Sequence, residues 1–302
     1  MATELLIPGG TGQLGRELAA RAPAGAQVRA PGSAELDITN AGAVVEAVKT
    51  LAAAATAAGR DPVVINAAAY TAVDAAETDR AKAFAVNADG PRVLAAACSA
   101  HHVPLIHVST DYVFAGDADR PYRTDEPIEP KSVYGATKAA GDGAVLGSGA
   151  RAWVVRTAWV YGAHGGNFVK TMARLAGQRD TVSVVDDQRG SPTWTGDLAV
   201  GLLELADRVT GPDAPERTVL HATAGGDTTW YEFAGAVFTE LGLDPARVKP
   251  CKTEEFPRPA PRPAYSVLSN EEWRQAGLTP LRDWREALAA AFAEHGDAFR
   301  GE

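Results

Sequence analysis

A tyrosine and a lysine four residues apart, Tyr134 and Lys138, form the pair whose spacing points most directly to chemistry. A helix at this position places both side chains on one face. An ammonium close to a phenol favours the phenolate and pulls the tyrosine pKa down from about 10, which makes the tyrosine a usable proton donor or acceptor near neutral pH. Because any helix can carry this spacing by chance, its meaning depends on the elements around it.

A predicted buried strand that ends in hydroxyl groups comes before this pair. The apolar run over residues 104–108 leads directly into Ser109 and Thr110. In an open α/β sheet, ligands gather at the carboxyl ends of the strands. We therefore expect a ligand at this strand end, with Thr110 as a partner for the Tyr134 phenol.

A glycine motif near the start of the chain is of the kind that binds dinucleotides. A short apolar run over residues 3–8 is stopped by Gly9, Gly12 and Gly15, and a helical pattern follows to about Arg21. The first glycine permits a tight turn, the second lets backbone approach a pyrophosphate, and the third lets the helix pack on the strand. The helix N-terminus then offers free N–H groups to the phosphates. A plain glycine-rich turn is the alternative interpretation.

The second strand bears on which dinucleotide is bound. Folds that bind NAD usually place an acid near the end of this strand, but the segment 26–32 contains Arg29 and no acid. Arg29 could instead meet a 2′-phosphate, which favours NADPH and leaves NADH open. Asp37 lies under the adenine or caps the next helix, although capping fits Thr39 or Asn40 better.

A third strand over residues 61–66 is followed by small residues that let a flat cofactor lie against backbone. Helices are predicted over 41–58 and 79–101, and Asn87 in the second is directed at a neighbouring strand end. The residues assigned to cofactor binding are Gly9, Gly12, Gln13, Leu14, Gly15, Arg29, Asp37, Ile38, Ala67, Ala68, Ala69, Val108, Tyr134 and Lys138.

The order of these elements predicts an α/β fold. Strands and helices alternate clearly to about residue 160 and less regularly afterwards, which favours a Rossmann-type doubly wound parallel sheet followed by a smaller C-terminal α/β substrate domain. We assign residues 1–160, with roughly 182–205, to the dinucleotide-binding domain. Residues 161–181 and 206–302 then form the substrate domain.

The amino-acid composition limits the kinds of partner that this protein can bind. The formal net charge of −9 over 302 residues argues against a nucleic-acid or anionic-membrane surface but leaves an anionic small molecule open. Two lone cysteines, Cys98 and Cys251, fit free thiols in a reducing compartment. No basic leader and no apolar run of about 18 residues occurs outside the Ala-rich amphipathic helices. We expect a soluble cytoplasmic protein, either a monomer or a homodimer, with no membrane partner.

With these motifs placed, the chain resembles the extended short-chain dehydrogenase/reductase superfamily and, more narrowly, the dTDP-4-dehydrorhamnose reductases. The glycine motif and the Tyr-x-x-x-Lys pair are common to the superfamily, whereas several other segments are particular to this reductase group. The segments that carry the resemblance are 9–15, 66–74, 109–114, 134–138, 156–162 and 186–193.

The resemblance implies reduction of the C4 ketone of dTDP-4-dehydro-L-rhamnose, or of a closely related dTDP-deoxysugar, by hydride transfer from NAD(P)H. Tyr134 would act as the general acid that protonates the carbonyl oxygen. Lys138 would hold the nicotinamide ribose and lower the pKa of the tyrosine. Thr110 would donate a hydrogen bond to the same oxygen, where negative charge develops.

The resemblance also implies substrate contacts and raises the question of a metal. Positions that match substrate-binding residues of the family are Thr110, Asp111, Trp159, Asn167 and Arg262. Tyr265 and Ser269 depart from the family's late Arg-Pro segment, where Asn and Asp are common, so the resemblance fixes the reaction type and leaves the sugar open. Some family members hold Mg²⁺ at a dimer interface. Glu17 and Asp197 fall at matching places, which is too little to assign a metal.

Three other functions share this fold. A sugar-nucleotide 4,6-dehydratase needs an Asp-Glu pair after the strand-end threonine, but Tyr112 stands where that glutamate would be. A sugar-nucleotide 4-epimerase keeps its cofactor bound and needs no net source of hydride. Only the likeness of the motifs to those of the reductases argues against this function. A non-catalytic regulatory subunit, similar to the beta subunit of methionine adenosyltransferase, would bind a dinucleotide and leave Thr110, Tyr134 and Lys138 idle.

Overall fold

The computed structural model describes residues 3–300 and has a parallel sheet at its centre. Its strands, in chain order, are β1 (Thr3–Leu6), β2 (Gln27–Arg29), β3 (Asp61–Asn66), β4 (Leu105–Thr110), β5 (Ala152–Thr157), β6 (Val160–Tyr161), β7 (Val182–Val185), β8 (Arg189–Gly190), β9 (Thr193–Trp194), β10 (Val219–His221), β11 (Thr228–Thr229) and β12 (Val248–Cys251). The central sheet has six strands in the order β10-β5-β4-β3-β1-β2, all parallel. The predicted doubly wound fold is confirmed.

Helices cover both faces of this sheet and build a second lobe. They are α1 (Gln13–Arg21), α2 (Ala41–Ala58), α3 (Val73–Ala76), α4 (Arg80–Phe84), α5 (Gly90–Ala100), α6 (Val133–Leu146), α7 (Phe168–Ala176), α8 (Thr195–Thr210), α9 (Trp230–Glu240), α10 (Glu271–Gln275) and α11 (Trp284–Arg300). Short 3₁₀ turns occur at Asp111–Val113, Pro245–Arg247 and Thr253–Glu255, and a π-helical turn at Ala85–Asp89 joins α4 to α5.

Alternate residues of the central strands face opposite helical layers, as the pleat of a strand requires. Leu5 and Ile65 belong to a core that includes residues of α1 and α8. Leu6 and Val64, their sequence neighbours, belong to a core that includes residues of α2, α5 and α6. Because both faces are buried, the strands are apolar on both sides, which is typical of a parallel sheet.

The chain changes direction across the sheet beside β1. The strand β2 lies on one side of β1, and β3 lies on the other. Ligands of open α/β sheets bind in the crevice at such a switch point, outside the carboxyl ends of the strands. Gly9 lies just beyond the end of β1, and Ala67 directly follows β3.

Helix α2 is long and apolar enough to cross a membrane by length and composition alone. In the fold it packs against β1, β3 and α5. Its buried side chains are Val44, Ala47, Val48, Leu51 and Ala55. This buried stripe accounts for its apolar composition as a helix that covers the central sheet.

A second core lies between α7, α9 and α11 and is rich in aromatic side chains, among them Tyr161, Phe233 and Trp284. Two of our predicted domain segments lie elsewhere than expected. The segment at Val182–Val185, assigned to the cofactor domain, pairs with β12 and places Val182 and Val184 in this second core. The strand β10, assigned to the substrate domain, pairs with β5 in the central sheet.

Two further differences concern the bounds of elements. The long helix predicted over 79–101 is interrupted, because its middle turn Ala85–Asp89 is π-helical, and π-turns often mark functional sites. The limits 1 and 302 of the predicted domains lie outside the described residues. The division into two domains otherwise stays a prediction.

Helix α6 gives a test of the packing at the centre of the fold. A Cβ atom at Gly141 would overlap the carbonyl oxygen of Asn87, whereas a Cβ at Gly143 would meet nothing within 4 Å. We expect Gly141→Ala to lower the free energy of unfolding by about 1–3 kcal/mol through overpacking. Gly143→Ala, the matched control on the exposed face, should raise it by about 0.5–1 kcal/mol. Urea denaturation measures both, and equal stability of the two variants would contradict the packing.

Candidate active site

The position of helix α6 is set at its first turn. Ser132 caps the helix by accepting a hydrogen bond from the Gly135 N–H at 3.1 Å. A Cβ atom at Gly135 would overlap the carbonyl oxygen of Tyr112, so the glycine lets α6 approach the end of β4 closely. The Tyr112 ring then meets the Tyr134 ring edge-on at 5.5 Å. Tyr134 is thereby held beside the carboxyl end of β4.

The Tyr134 phenol is shifted in the direction opposite to our expectation. Burial raises its pKa well above the ordinary value, and the negative charges of Asp111 and Asp142 raise it further. The Thr110 hydroxyl is close enough to lower the pKa in part. The expected lowering by Lys138 does not occur in this structure, and the phenol is protonated at neutral pH.

Lys138 lies one turn further along α6 and is buried. Its Nζ donates a hydrogen bond to the Val108 carbonyl at 2.7 Å, which orients the ammonium toward the last residues of β4. Burial lowers the pKa of Lys138 to about 8, against the opposing charge of Asp142. The ammonium is therefore present at neutral pH and is lost as the pH rises through about 8.

Thr110 and Asp111 meet the phenol from the end of β4. The Thr110 hydroxyl donates to Asp111 Oδ1 at 2.9 Å, and the Tyr112 N–H donates to Thr110 Oγ1 at 3.3 Å. Burial raises the pKa of Asp111 to about 6, although the Ser266 and Thr110 hydroxyls oppose the shift. To donate to a substrate oxygen, the Thr110 hydroxyl has to turn away from Asp111.

The glycine loop has the shape of a dinucleotide cradle. Gly9 has a left-handed φ of +81°, and a Cβ there would lie 2.6 Å from the Ala68 nitrogen. A Cβ at Gly15 would overlap the Gly9 carbonyl oxygen. The N-cap residue of α1 is Gly12, which forms no side-chain cap, so N–H groups of the first turn are left for an anion. These residues fit the pyrophosphate of a nicotinamide dinucleotide.

The segment after β3 is fastened to its surroundings through its backbone. The Ala68 N–H donates to Asn66 Oδ1 at 3.1 Å, and the Ala67 N–H donates to the Pro8 carbonyl at 3.1 Å. Asn87 accepts from the Tyr70 N–H at 2.8 Å and donates back to the Tyr70 carbonyl at 3.0 Å. Asn87 therefore does meet the chain just beyond a neighbouring strand, as predicted.

The remaining candidates for cofactor binding are placed as follows. Arg29 is exposed at the carboxyl end of β2, and the adjoining Pro31 carbonyl accepts from the Gly10 N–H at 2.9 Å. Asp37 is exposed, and its carboxylate accepts from the Thr39 N–H at 2.9 Å, while Asn40 caps α2. The Ile38 side chain is buried in the core.

A pair of stacked indoles lies on the side of the second lobe. Trp159 and Trp230 have ring centroids 3.5 Å apart and an interplanar angle of 7°. Trp159 adopts a left-handed backbone with φ of 47°, a conformation that costs a bulky residue energy. A Cβ at Gly190 would lie 2.5 Å from the Trp159 ring, so the glycine makes room for the indole. The sequence carried no signal for Trp230.

Asn167 joins the second lobe to the glycine loop. Its Nδ2 donates to Gln13 Oε1 at 2.9 Å and to the Gly162 carbonyl at 2.8 Å. Its Oδ1 caps α7 by accepting from the Lys170 N–H at 3.1 Å. The amide is thus occupied by the protein, and its contact with a substrate stays a prediction.

Arg262 is held by a partner that the sequence analysis did not assign to the site. Its Nη2 lies 2.8 Å from Asp74 Oδ2, and Arg258 pairs with the same carboxylate at 2.7 Å. These charges lower the pKa of Asp74 despite its partial burial. Because Asp74 lies within the motif 66–74, the sequence did contain a signal for it. An anionic ligand at Arg262 would compete with Asp74 for the guanidinium.

The two acidic residues considered for a metal each pair with an arginine. Glu17 accepts from Arg21 at 2.8 Å, and Asp197 pairs with Arg282. Within residues 3–300, no group of three or more His, Cys, Asp or Glu side chains is arranged to hold a metal ion. Cys98 and Cys251 are both free thiols.

Comparisons with known proteins found matches that extend over nearly the whole chain. The model of the family described as "RmlD substrate binding domain" matches residues 3–296. A dTDP-4-dehydrorhamnose reductase from Streptomyces griseus is 50% identical, over 95% of this chain and 92% of the relative. A probable dTDP-4,6-dihydroxy-2-methyloxan-3-one 4-ketoreductase from Streptomyces antibioticus is 48% identical, over 98% of each. The crystal structure of Bacillus anthracis dTDP-4-dehydrorhamnose reductase in complex with NADP has a TM-score of 0.89 and 35% identity, over 97% of this chain and 100% of that one.

Gly190 allows the indole stack to be tested. We expect Gly190→Ala to push Trp159 off Trp230, to abolish the circular-dichroism couplet of the stacked indoles, and to lower the free energy of unfolding by about 1–3 kcal/mol. Gly177→Ala in the same lobe is the control, since a Cβ there has its nearest neighbour at 3.7 Å. A couplet that survives Gly190→Ala would show that the stack does not depend on this glycine.

Proposed function

The chain belongs to the RmlD substrate binding domain family, and on that premise we propose that it reduces the C4 ketone of a dTDP-linked 4-keto-6-deoxy sugar with a reduced nicotinamide dinucleotide. Relatives at almost equal identity bear the names of two different 4-ketone reductions. The reaction type is common to both, and the sugar differs. We take dTDP-4-dehydro-L-rhamnose as the first substrate to test, with the reaction in the cytoplasm, the compartment predicted from the two free thiols.

One observation carries this proposal: a protonated phenol, a hydroxyl and an ammonium converge at the carboxyl end of β4, beside the switch point of the sheet. Tyr134, Thr110 and Lys138 come from β4 and α6 and share contacts with the last residues of β4. The glycine loop follows β1 and lies at the same edge of the sheet. A carbonyl group placed between the phenol and the loop would meet both a proton donor and a cofactor.

The residues of the chain divide the work of reduction. When bound, the dinucleotide would supply a hydride to the C4 carbon of the sugar, and the secondary alcohol forms when a proton is added to the C4 oxygen. Tyr134 gives its proton to the C4 oxygen, and its raised pKa keeps that proton in place until negative charge develops. Thr110 hydrogen bonds the same oxygen once it releases Asp111. The Lys138 ammonium holds the nicotinamide ribose.

Recognition of the sugar nucleotide is proposed for the opposite side of the crevice. Trp159 offers an aromatic face to the sugar. Arg262 offers a guanidinium to the diphosphate, in exchange for its ion pair with Asp74. Asn167, at the start of α7, is proposed to contact the substrate from the same side. Asp111 contacts the substrate beside Thr110.

We propose NADPH as the preferred cofactor. Arg29 is exposed at the end of β2 and adjoins the segment that hydrogen bonds Gly10, which is where the 2′-position of the adenosine ribose lies in dinucleotide folds. The Bacillus anthracis relative was crystallised with NADP. Arg29 supplies a positive charge suited to a 2′-phosphate.

The general acid is tested by Tyr134→Phe. With dTDP-4-keto-6-deoxy-L-lyxo-hexulose generated in situ, we expect NADPH oxidation to fall by about 10²–10⁴-fold, because one positioned proton donor is lost. NADPH should still bind, as judged by fluorescence titration. Tyr231→Phe, a tyrosine of α9 in the second lobe, is the control. A wild-type rate of NADPH oxidation in Tyr134→Phe would reject Tyr134 as the general acid. A wild-type protein that binds NADPH but is inactive with both NADPH and NADH would reject the reductase in favour of the regulatory subunit.

Cofactor choice is tested by Arg29→Ala. Loss of one charged contact to a 2′-phosphate should lower the ratio of kcat/KM for NADPH to that for NADH by about tenfold or more. The matched control is Arg92→Ala, an exposed arginine of α5 that pairs with Asp89. An unchanged ratio in Arg29→Ala would reject the role of Arg29 in selectivity.

A further inference from the structure

Two oppositely charged residues of α6, Lys138 and Asp142, are four residues apart, buried, and not paired with each other. Each is no more than 3% exposed, and opposite charges at this spacing are neighbours on a helix surface that can form an ion pair. In the described part of the chain, Asp142 pairs instead with Arg156 of β5 at 3.2 Å. The ammonium of Lys138 turns to the Val108 carbonyl.

The side chain that lies between the two charges is His107 of β4. It is fully buried, and one ring nitrogen faces both neighbours. His107 Nε2 lies 3.4 Å from Lys138 Nζ and 3.8 Å from Asp142 Oδ1. The charged and titratable groups around Lys138 thus come from three elements: His107 from β4, Tyr134 and Asp142 from α6, and Arg156 from β5.

Asn66 determines which ring nitrogen of His107 carries the proton. The Ala68 N–H donates to Asn66 Oδ1 at 3.1 Å, which fixes the orientation of the amide. The Asn66 Nδ2 group is therefore the one that faces His107 Nδ1, at 3.0 Å, and it donates there. With Nδ1 as the acceptor, the proton of a neutral imidazole lies on Nε2.

A proton on Nε2 decides what this nitrogen can bind. It cannot accept a hydrogen bond from the Lys138 ammonium, and its N–H faces Asp142 Oδ1 at 3.8 Å, a buried oxygen that has no hydrogen-bond partner within range among the described residues. Burial and the charge of Lys138 hold the pKa of His107 well below its usual range. The imidazole is therefore a neutral group that turns its N–H toward the carboxylate.

We propose that His107 is a positioning residue that keeps Lys138 from pairing with Asp142, so that the ammonium stays on the Val108 carbonyl at the end of β4, where it can reach the cofactor ribose. This role rests on the proposed function, in which Lys138 holds the cofactor. Asn66 orients His107, and Arg156 neutralises Asp142 from the other side. Three buried side chains outside the Thr110, Tyr134 and Lys138 set thus govern where one ammonium points.

The test removes the imidazole and then the competing charge. In His107→Ala, Lys138 can swing onto Asp142, so we expect NADPH to bind about 10- to 100-fold more weakly, the effect of losing one charged hydrogen bond. An ion pair with Asp142 favours the ammonium. In the wild type we expect NADPH affinity to fall as the pH rises through the Lys138 pKa of about 8, and in the variant this fall should move to higher pH. Fluorescence titration with NADPH from pH 6 to about 10 measures both effects.

The double variant His107→Ala/Asp142→Asn separates positioning from packing. Without the carboxylate, Lys138 has no competing partner, so NADPH affinity should return to within about threefold of the wild type. His107→Gln should keep near-native affinity, because its amide can accept from Asn66 and donate to Asp142. Asp142→Asn alone should move the alkaline limb of NADPH binding to lower pH.

Either of two results would contradict the role proposed for His107. Unchanged affinity in His107→Ala, or a double variant as weak as the single one, would overturn the positioning role and leave His107 as packing. Thermal unfolding checks that each variant folds. If His107→Ala does not fold, His107→Ser replaces it, because serine keeps a hydroxyl for Asn66 but is too short to separate the charges. A wild-type protein that fails to bind NADPH or to reduce the keto sugar would reject the proposed function itself, in an assay that involves no variant.

Discussion

The close approach of helix α6 to the carboxyl end of β4 is the contact on which the rest of the site depends. Gly135 makes it by passing the carbonyl of Tyr112 just beyond β4, and Gly141 lets the same helix pass the carbonyl of Asn87 in the π-helical turn. A side chain at either position would lift the helix by the width of a methyl group or force its partner to move. Tyr134 directly precedes the first of these contacts, and Lys138 lies between the two. Their distance from the strand end is thus determined by backbone packing, and their own side chains have little influence on it.

This packing buries charges, and burial controls their chemistry. Lys138, Asp142 and Arg156 are each almost fully enclosed, which costs free energy unless every charge has a partner. Arg156 satisfies Asp142, while Lys138 has a carbonyl and a neutral imidazole for neighbours. The pKa of the lysine falls and that of the tyrosine rises. A protonated phenol beside a lysine that titrates near pH 8 is suited to giving a proton to a carbonyl oxygen.

The second lobe meets the central sheet at the same edge as these groups. Asn167 reaches Gln13 of the glycine loop, and Arg258 and Arg262 reach Asp74 beyond β3. Trp159 leaves β5 in a strained left-handed conformation and packs between Gly190 and Trp230. Polar ties and an aromatic stack therefore hold the lobes together around the crevice at the carboxyl ends of the strands.

Local patterns in the sequence were enough to predict much of this protein. The glycine spacing after β1, the helix at 41–58 and the strand that ends at Thr110 depend on neighbours within a turn or a strand, and all are present as predicted. The strands at 182–185 and 219–221 were recognised, but their pairing with β12 and β5 was not foreseen, because a strand's partner is chosen by residues far away in the chain. The same limit applies to electrostatics. Spacing alone put an ammonium beside the Tyr134 phenol and predicted a lowered pKa, whereas the folded protein turns Lys138 to Val108 and encloses the phenol. Burial and the partner of a charge are properties of the whole fold, so only the tertiary structure decided the direction of that shift.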